Sequence, residues 1–325
     1  MPTSLPRLSA PVPDVLGEPW QQRRIALRPS PDDDAPEAVL VHRRETTANR
    51  RAVLYVHGFT DYFFHTAHAA RWVAAGFDFY ALDLRTSGRA IGPRTRPGDV
   101  RDLRHHDEEI GVALDAVRAD GHEQVVLLGH STGGLVAAGW ADRHPGGVDA
   151  LVLNSPWFDH NGPWVERVLL TPLVGLLARW LPSVVVGRLE EPYGRFLHTS
   201  TGGEWDYDLA WKPFAGFPVR AGTFAAVRRE QARLARGFDV REPVLVCSST
   251  RSASPSAPTA EELRSADCVL DVRHMAERAP LVGPDVTVVR VDGGVHDLAL
   301  SPSPARETYE RAAVEWALDR LPELT

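Results

Sequence analysis

Short apolar runs and stretches of helical period alternate along most of this chain. Val53-Leu54-Tyr55-Val56 reads as a buried strand that ends in the turn His57-Gly58. Ala67, Ala70, Trp72 and Val73 then recur at helical spacing over residues 65–75, and Gly76 stops that helix. The same rhythm predicts strands at residues 77–82, 125–128 and 150–153, and helices at 101–119 and 132–143, the latter ending before Pro145. Two earlier strands are expected near residues 24–27 and 38–42, separated by a turn containing Asp32-Asp33-Asp34. Strands alternating with helices of this length predict right-handed β-α-β units and a mostly parallel central sheet flanked by helices, an α/β fold.

The alternation stops at residue 155. It resumes with strands at residues 243–247 and 286–291 and a helix at 304–321. Residues 155–240 hold five of the nine tryptophans and no clear strand, the pattern of an insertion between two sheet strands. The chain therefore divides into a core, residues 1–154 and 241–325, and an insertion, residues 155–240. Residues 1–20 are Pro-rich and patternless and read as an extended arm, and residues 248–260 read as a long loop rich in Ser, Ala, Pro and Thr. The apolar stretch 168–186 is broken by Pro172, Arg179 and Pro182, so a membrane-spanning helix of about 20 apolar residues is not expected there.

Composition narrows the partners. The 325 residues carry a net charge of −7 and no Lys/Arg block, which disfavours nucleic acid; the arginines are scattered, and Lys212 is the only lysine. Two cysteines, Cys247 and Cys268, imply no disulfide framework and fit a reduced, cytoplasmic setting. Residues 1–6 lack the basic segment and apolar core of a signal peptide.

Candidate chemistry centres on Gly129-His130-Ser131-Thr132-Gly133. The five-residue pattern alone is weak, and its flanks make it specific. Val125-Val126-Leu127-Leu128 supplies a strand before it, and Leu135, Val136, Ala138 and Ala141 supply a helix directly after. A serine on such a turn is presented as a nucleophile, with glycines to avoid clashes and a helix N-terminus that favours a developing oxyanion. Its hydroxyl needs a base. Among thirteen histidines, His296 in Gly293-Gly294-Val295-His296-Asp297 follows the last strand and falls on the sheet edge that holds Ser131. His57 also ends a strand but precedes the serine, whereas the order serine, acid, histidine places the base last. The turn His57-Gly58-Phe59 reads instead as presenting the Phe59 N–H, which with the Thr132 N–H would form an oxyanion hole. The acid that orients the base should follow the strand at 243–247. Asp267 and Asp271 are the candidates, and either could instead cap a helix beginning near Val272. His105-His106, beside Asp102, Asp107 and Glu108, read as a solvated helix face; His65 and His68 lie one helical turn apart without a convincing third ligand, so no metal site is expected.

Together these residues resemble the α/β-hydrolase superfamily, and within it the monoacylglycerol lipase, lysophospholipase and serine-aminopeptidase-like group. The likeness runs from about Val53 to the C-terminus. It rests on His57-Gly58-Phe59-Thr60-Asp61, Gly129-His130-Ser131-Thr132-Gly133-Gly134, Ser265-Ala266-Asp267 and Gly294-Val295-His296-Asp297. The resemblance implies that the acid sits in the Ser-Ala-Asp turn, which favours Asp267, and that residues 155–240 form a lid. The chain departs from the family at Asp83-Leu84-Arg85-Thr86-Ser87-Gly88-Arg89, where the pattern is Asp-x-Arg-Gly-x-Gly, and in a longer loop leading to the acid.

The implied function is a serine hydrolase that cleaves carboxylic esters with a hydrophobic acyl or alcohol part through an acyl-enzyme on Ser131, needing no cofactor. Residues 168–186 with Trp157, Trp164 and Trp180 are expected to line an acyl or aromatic pocket, Tyr62, Phe63 and Phe64 another wall, and His130 to contact substrate. The expected partner is a small-molecule ester, with transient lipid contact by the lid and no stable membrane insertion. Two rival readings are an aminopeptidase-like amide hydrolase, anchoring an ammonium on Glu190, Glu191 or Glu204, and a hydrolase-fold binding protein with vestigial activity.

Overall fold

The computed structural model describes residues 7–29, 36–44, 49–160 and 171–324. Among them are eleven strands: β1 (Val12–Pro13), β2 (Trp20–Ala26), β3 (Glu37–Arg43), β4 (Arg51–Val56), β5 (Phe77–Asp83), β6 (Gln124–His130), β7 (Ala150–Asn154), β8 (Val185–Gly187), β9 (Val219–Arg220), β10 (Val244–Ser249) and β11 (Val286–Val291). The helices are α1 (Thr66–Ala74), α2 (His106–Ala119), α3 (Thr132–Arg143), α4 (Thr171–Trp180), α5 (Glu191–Leu197), α6 (Ala221–Leu234), α7 (Ala260–Ser265), α8 (Val272–Arg278) and α9 (Ala305–Arg320). Nine strands form one sheet in the order β1-β2-β3-β5-β4-β6-β7-β10-β11. From β5 to β11 every pairing is parallel, and β1, β2 and β3 extend the sheet antiparallel.

The apolar runs read from sequence are strands covered on both faces, as a parallel sheet requires. Every residue of β5, β6, β7 and β10 is buried. Trp72 of α1 and Tyr309 of α9 join a core cluster on one face with Phe79 and Leu128, while Ile110, Leu135 and Leu234 from α2, α3 and α6 pack on the other with Leu54 and Leu127. Strand β11 is half-exposed because it closes the edge of the sheet, with β10 as its one strand neighbour among the described residues.

Three local expectations change. The predicted strand at 24–27 begins earlier, at Trp20, because its partner β3 continues the antiparallel ladder to Trp20↔Arg43. The N-terminal arm is not free of structure: β1 pairs with β2, and Asp14 enters the interior. The segment between β7 and β10 does contain strands, since β8 and β9 pair as a small antiparallel ribbon too short to give a period-2 pattern. That segment is also fastened to the core. Thr60 Oγ1 accepts from the Phe217 N–H at 3.0 Å, and Tyr62 Oη accepts from the Asp208 N–H at 2.7 Å.

Asp14 meets the altered Asp-x-Arg run. Arg89 donates from Nε and Nη2 to Asp14 at 2.6 and 2.8 Å and from Nη1 to Asp83 at 2.7 Å, and its side chain is only 2% exposed. Gly88 has φ 47°, and a Cβ there would lie 2.4 Å from Asp83 Oδ2. Thr86 stands where the family pattern has glycine and adopts φ 64° all the same. A left-handed conformation costs a non-glycine residue about 1–2 kcal/mol, so the ion pairs around it hold a strained turn in place. Replacing Arg89 with methionine leaves two buried carboxylates without their cation. Urea denaturation of Arg89→Met is expected to show a loss of about 3–5 kcal/mol; a loss below about 1 kcal/mol would mean the pair holds nothing.

Candidate active site

Strand β6 runs directly into α3, and Ser131 occupies the join with φ 52° and ψ −118°. The chain can turn this sharply only because backbone passes close to backbone. A Cβ on Gly133 would lie 2.3 Å from the His57 carbonyl oxygen, and one on Gly129 would lie 2.5 Å from the Gly133 carbonyl oxygen. The glycines on either side of the serine are therefore steric requirements of this turn.

His296 Nε2 lies 3.0 Å from Ser131 Oγ, and His296 Nδ1 lies 2.9 Å from Asp267 Oδ2. A carboxylate accepts only, so Nδ1 carries the ring proton and Nε2 is left to accept from the serine hydroxyl. Asp267 is fully buried, and its Oδ1 accepts from the N–H groups of Val269 and Leu270 at 2.8 and 2.7 Å. Its backbone is tied to the chain leaving β10: the Asp267 N–H donates to the Arg251 carbonyl at 2.9 Å, and the Ala253 N–H donates to the Asp267 carbonyl at 2.8 Å. Asp271 goes elsewhere. It caps α8 through the Arg273 N–H at 3.0 Å and pairs with the Arg273 guanidinium.

His57 is occupied in a different way. Its Nδ1 faces the Gly58 carbonyl at 2.7 Å, and its Nε2 accepts from the Leu84 N–H at 3.0 Å. Burial pushes its pKa down, so a neutral ring braces the turn. That turn packs against the serine, since a Cβ on Gly58 would come within 3.0 Å of Ser131 Cβ. Phe59 and Thr132 line the same cleft as Ser131 and His296. Thr132 opens α3, where helix N–H groups have no partner within the helix.

The cleft has a volume of about 360 Å³. Phe59, Leu189, Phe214, Val219, Phe224 and Val227 line it, together with Trp157 and His130. Several expected wall residues do not. Tyr62 and Phe64 belong to a buried satellite cluster and Phe63 to the core, so that wall is internal packing. Trp180 is 79% exposed and absent from the lining, because it lies with Leu176 on the outward side of α4. Trp164 and residues 168–170 lie outside the described residues. His130 is buried and, with burial the main cause, its pKa falls to about 4, so it faces the cleft as a neutral ring.

Residues 47–303 match the family described as serine aminopeptidase, S33. The chain belongs to that family. A monoacylglycerol lipase of Mycolicibacterium smegmatis is 34% identical over 140 residues, which is 42% of this chain and 49% of that protein. Epoxide hydrolase 1 of Caenorhabditis elegans is 26% identical over 141 residues, 43% of this chain and 31% of that protein. The chain thus spans half or less of the length of these curated relatives. Among solved structures, a monoacylglycerol lipase from Paleococcus ferrophilus superposes with a TM-score of 0.64 at 20% identity, covering 88% of this chain and 99% of that one. A soluble variant of the monoglyceride lipase from Saccharomyces cerevisiae gives 0.63 at 15% identity, covering 89% and 93%. At these identities the likeness is one of fold, and the fold is that of the α/β-hydrolases.

Within this S33 protein the site has neighbours that the sequence reading missed. Lys212 donates to Asp61 Oδ1, just past the Phe59 turn. Tyr193 of α5 accepts from the Asp297 N–H at 2.9 Å, and its ring stands edge-on to His296 at 6.0 Å. His106 is buried and not on a solvated face: its Nδ1 lies 3.0 Å from Glu109, which also receives the Arg85 N–H at 2.8 Å. Burial opposes ionisation of Glu109, yet His106 and Arg85 hold its pKa at about 2. His65 and His68 diverge, His65 toward Asp297 and His68 toward Glu310. The signal for Asp61 and Asp297 was present in the quoted motifs, but nothing in the chain pairs Lys212 or Tyr193 with them before folding. The two acid candidates separate experimentally. Asp267→Asn is expected to lower hydrolytic kcat by about 10⁴ with folding intact, and Asp271→Ala to cost about 1 kcal/mol of stability with kcat retained. The reverse pattern would exchange their assignments.

Proposed function

We propose that this protein is a serine hydrolase of carboxylic esters with a hydrophobic acyl or alcohol part, similar in chemistry to monoacylglycerol lipases and lysophospholipases. The observation that carries the proposal is the chain of contacts from Ser131 Oγ through His296 to Asp267, opening into an apolar cleft. His296 takes the serine proton as Ser131 attacks the ester carbonyl, and the Phe59 and Thr132 N–H groups stabilise the oxyanion. The alcohol leaves with the proton from His296, which then activates water to release the acid. Asp267 keeps the imidazole in the required tautomer. No step calls for a cofactor.

The surface supports an aggregated, lipid-like source for that ester. Seven of the ten exposed large apolar side chains among the described residues fall between Leu176 and Leu189, and Leu189 itself lines the cleft. No helix among the described residues is long and apolar enough to cross a membrane. Residues 155–240 thus serve as a lid whose outer ridge rests transiently on a lipid surface.

A second reading, amide cleavage from a free N-terminus, is favoured by the family description and by Glu190, which lines the cleft. Glu191 pairs with Arg195 and Glu204 with Arg306, so neither is the ammonium anchor. Of the three carboxylates that line the cleft, Asp61 is tied to Lys212 and Asp297 to Asn154, which leaves Glu190 to meet an ammonium in a mostly apolar wall, a lining that suits an ester better. A fluorophosphonate probe is expected to label the wild type and not Ser131→Ala, and p-nitrophenyl esters are expected to turn over faster than aminoacyl anilides. Faster anilide turnover selects the aminopeptidase reading, and no labelling of the wild type selects a vestigial binding protein. Trp180→Glu is expected to cut hydrolysis of micellar monoacylglycerol roughly tenfold while sparing a soluble short-chain ester; equal effects on both substrates would exclude lipid contact through the ridge.

A further inference from the structure

Beside the candidate triad, and unused by it, three side chains from separate segments converge. Asp61 follows the Phe59 turn, His65 precedes α1 and Asp297 follows His296, and each is only 2% exposed. One potential ligand atom from each lies within 4.8 Å of the other two. His65 Nε2 and Asp297 Oδ2 are 3.3 Å apart. Two ligands of a tetrahedral metal at about 2.0 Å stand about 3.3 Å from each other.

The hydrogen bonding leaves these atoms free for one another. Asp61 Oδ1 is taken by Lys212, and Asp61 Oδ2 makes no hydrogen bond among the described residues. Asp297 Oδ1 accepts from Asn154 Nδ2 at 2.8 Å and from the Ala299 N–H at 3.0 Å, whereas Asp297 Oδ2 and His65 Nε2 face each other as an ion pair at 3.3 Å with no further hydrogen bond among the described residues. Buried polar atoms are rarely left without partners, and Asp61 Oδ2, beside the His65–Asp297 pair, has none; an ion shared by the three would supply it. One oxygen of each carboxylate is thus held by the protein while the other turns inward, the arrangement by which outer groups orient metal ligands. A fourth potential ligand, a second nitrogen, stands close. His130 Nδ1 faces the Asn154 carbonyl at 3.2 Å and so carries the ring proton, which leaves the lone pair of Nε2 toward Asp297 Oδ2 at 3.8 Å. Two carboxylates here meet a single ammonium, Lys212, so a further cation is favoured by charge.

We infer that Asp61, His65 and Asp297 form a binding site for a divalent transition metal, with His130 beside the open position. One imidazole nitrogen and two carboxylate oxygens suit zinc, cobalt or manganese. Asp61 and Asp297 line the cleft, which gives the ion a route in. A bound ion ties together the turn carrying Phe59, the start of α1 and the loop carrying His296. It acts as a staple between the two halves of the site and not as a reactant.

The test reads binding without turnover, so it stands apart from the question of ester hydrolysis. Full-length protein treated with a chelator and dialysed is titrated calorimetrically with zinc, and separately with cobalt(II) while visible absorption is recorded. One equivalent of zinc is expected to bind the wild type. Affinity is expected to fall at least tenfold in His65→Gln and in Asp61→Asn and to be unchanged in His105→Gln, which removes a histidine remote from the cluster. If His65→Gln does not fold, Asp61→Asn carries the same test, and its loss of the cobalt bands supports the site. Absence of wild-type binding at 1 mM zinc, about −4 kcal/mol of affinity, overturns the inference, as does equal binding by the variants. The former would leave His65 and Asp297 as a proton-bridged ion pair.

Discussion

At the carboxyl end of β6 one backbone crosses another with no space for a methyl group. The Cβ direction of Gly133 points into the carbonyls of Val56 and His57, at 2.4 and 2.3 Å. That crossing presses the end of β4 against the start of α3, and the rest of the site depends on it. It forces Ser131 into a positive φ, brings the turn at Gly58 beside the serine and starts α3 directly after it. Neutral His57 holds the turn from behind by bonding to Leu84, at the start of the strained Asp83–Arg89 run. The Arg89 pairs then anchor that run to the N-terminal arm.

Much of the fold was legible in the chain, because parallel strands covered on both faces must be apolar throughout. Val125-Val126-Leu127-Leu128 needs no partner to be recognised as one. Where burial was partial the signal faded. Strand β2 starts with Trp20-Gln21-Gln22-Arg23, whose strand character comes from pairing with β3 and not from its own periodicity. Strands β8 and β9 are three and two residues long, below any period that can be counted. Helix α7 was readable and overlooked: Thr259 and Glu262 form a reciprocal capping box, the sequence mark of a helix start.

The candidate site divides along the same line. Ser131, His296 and the Phe59 turn follow from position, since each ends a parallel strand and such ends share an edge. Asp267 against Asp271 was not decidable by position, because both lie in one turn. Hydrogen bonds separate them: Asp271 is spent on its own helix, while the Arg251 and Ala253 contacts hold Asp267 against the sheet edge across an excursion that includes α7. The cleft wall was the weakest reading. Aromatic and apolar residues were assigned to it by type, yet type does not tell whether a ring faces a cavity, the core or water. Tyr62 faces a buried satellite cluster, Trp180 faces water and Trp157 faces the cleft.

The contacts between the insertion and the rim of the sheet bear on modularity. Phe217, Asp208, Lys212 and Tyr193 reach Thr60, Tyr62, Asp61 and the Asp297 backbone in turn, so the insertion supplies braces to both loops that flank Ser131. It is therefore not an interchangeable cassette. Grafting the corresponding segment from a relative would alter the shape of the cleft and also loosen the Phe59 turn and the His296 loop. Cleft shape and the geometry around Ser131 would then drift together unless those four anchor points were transplanted with it.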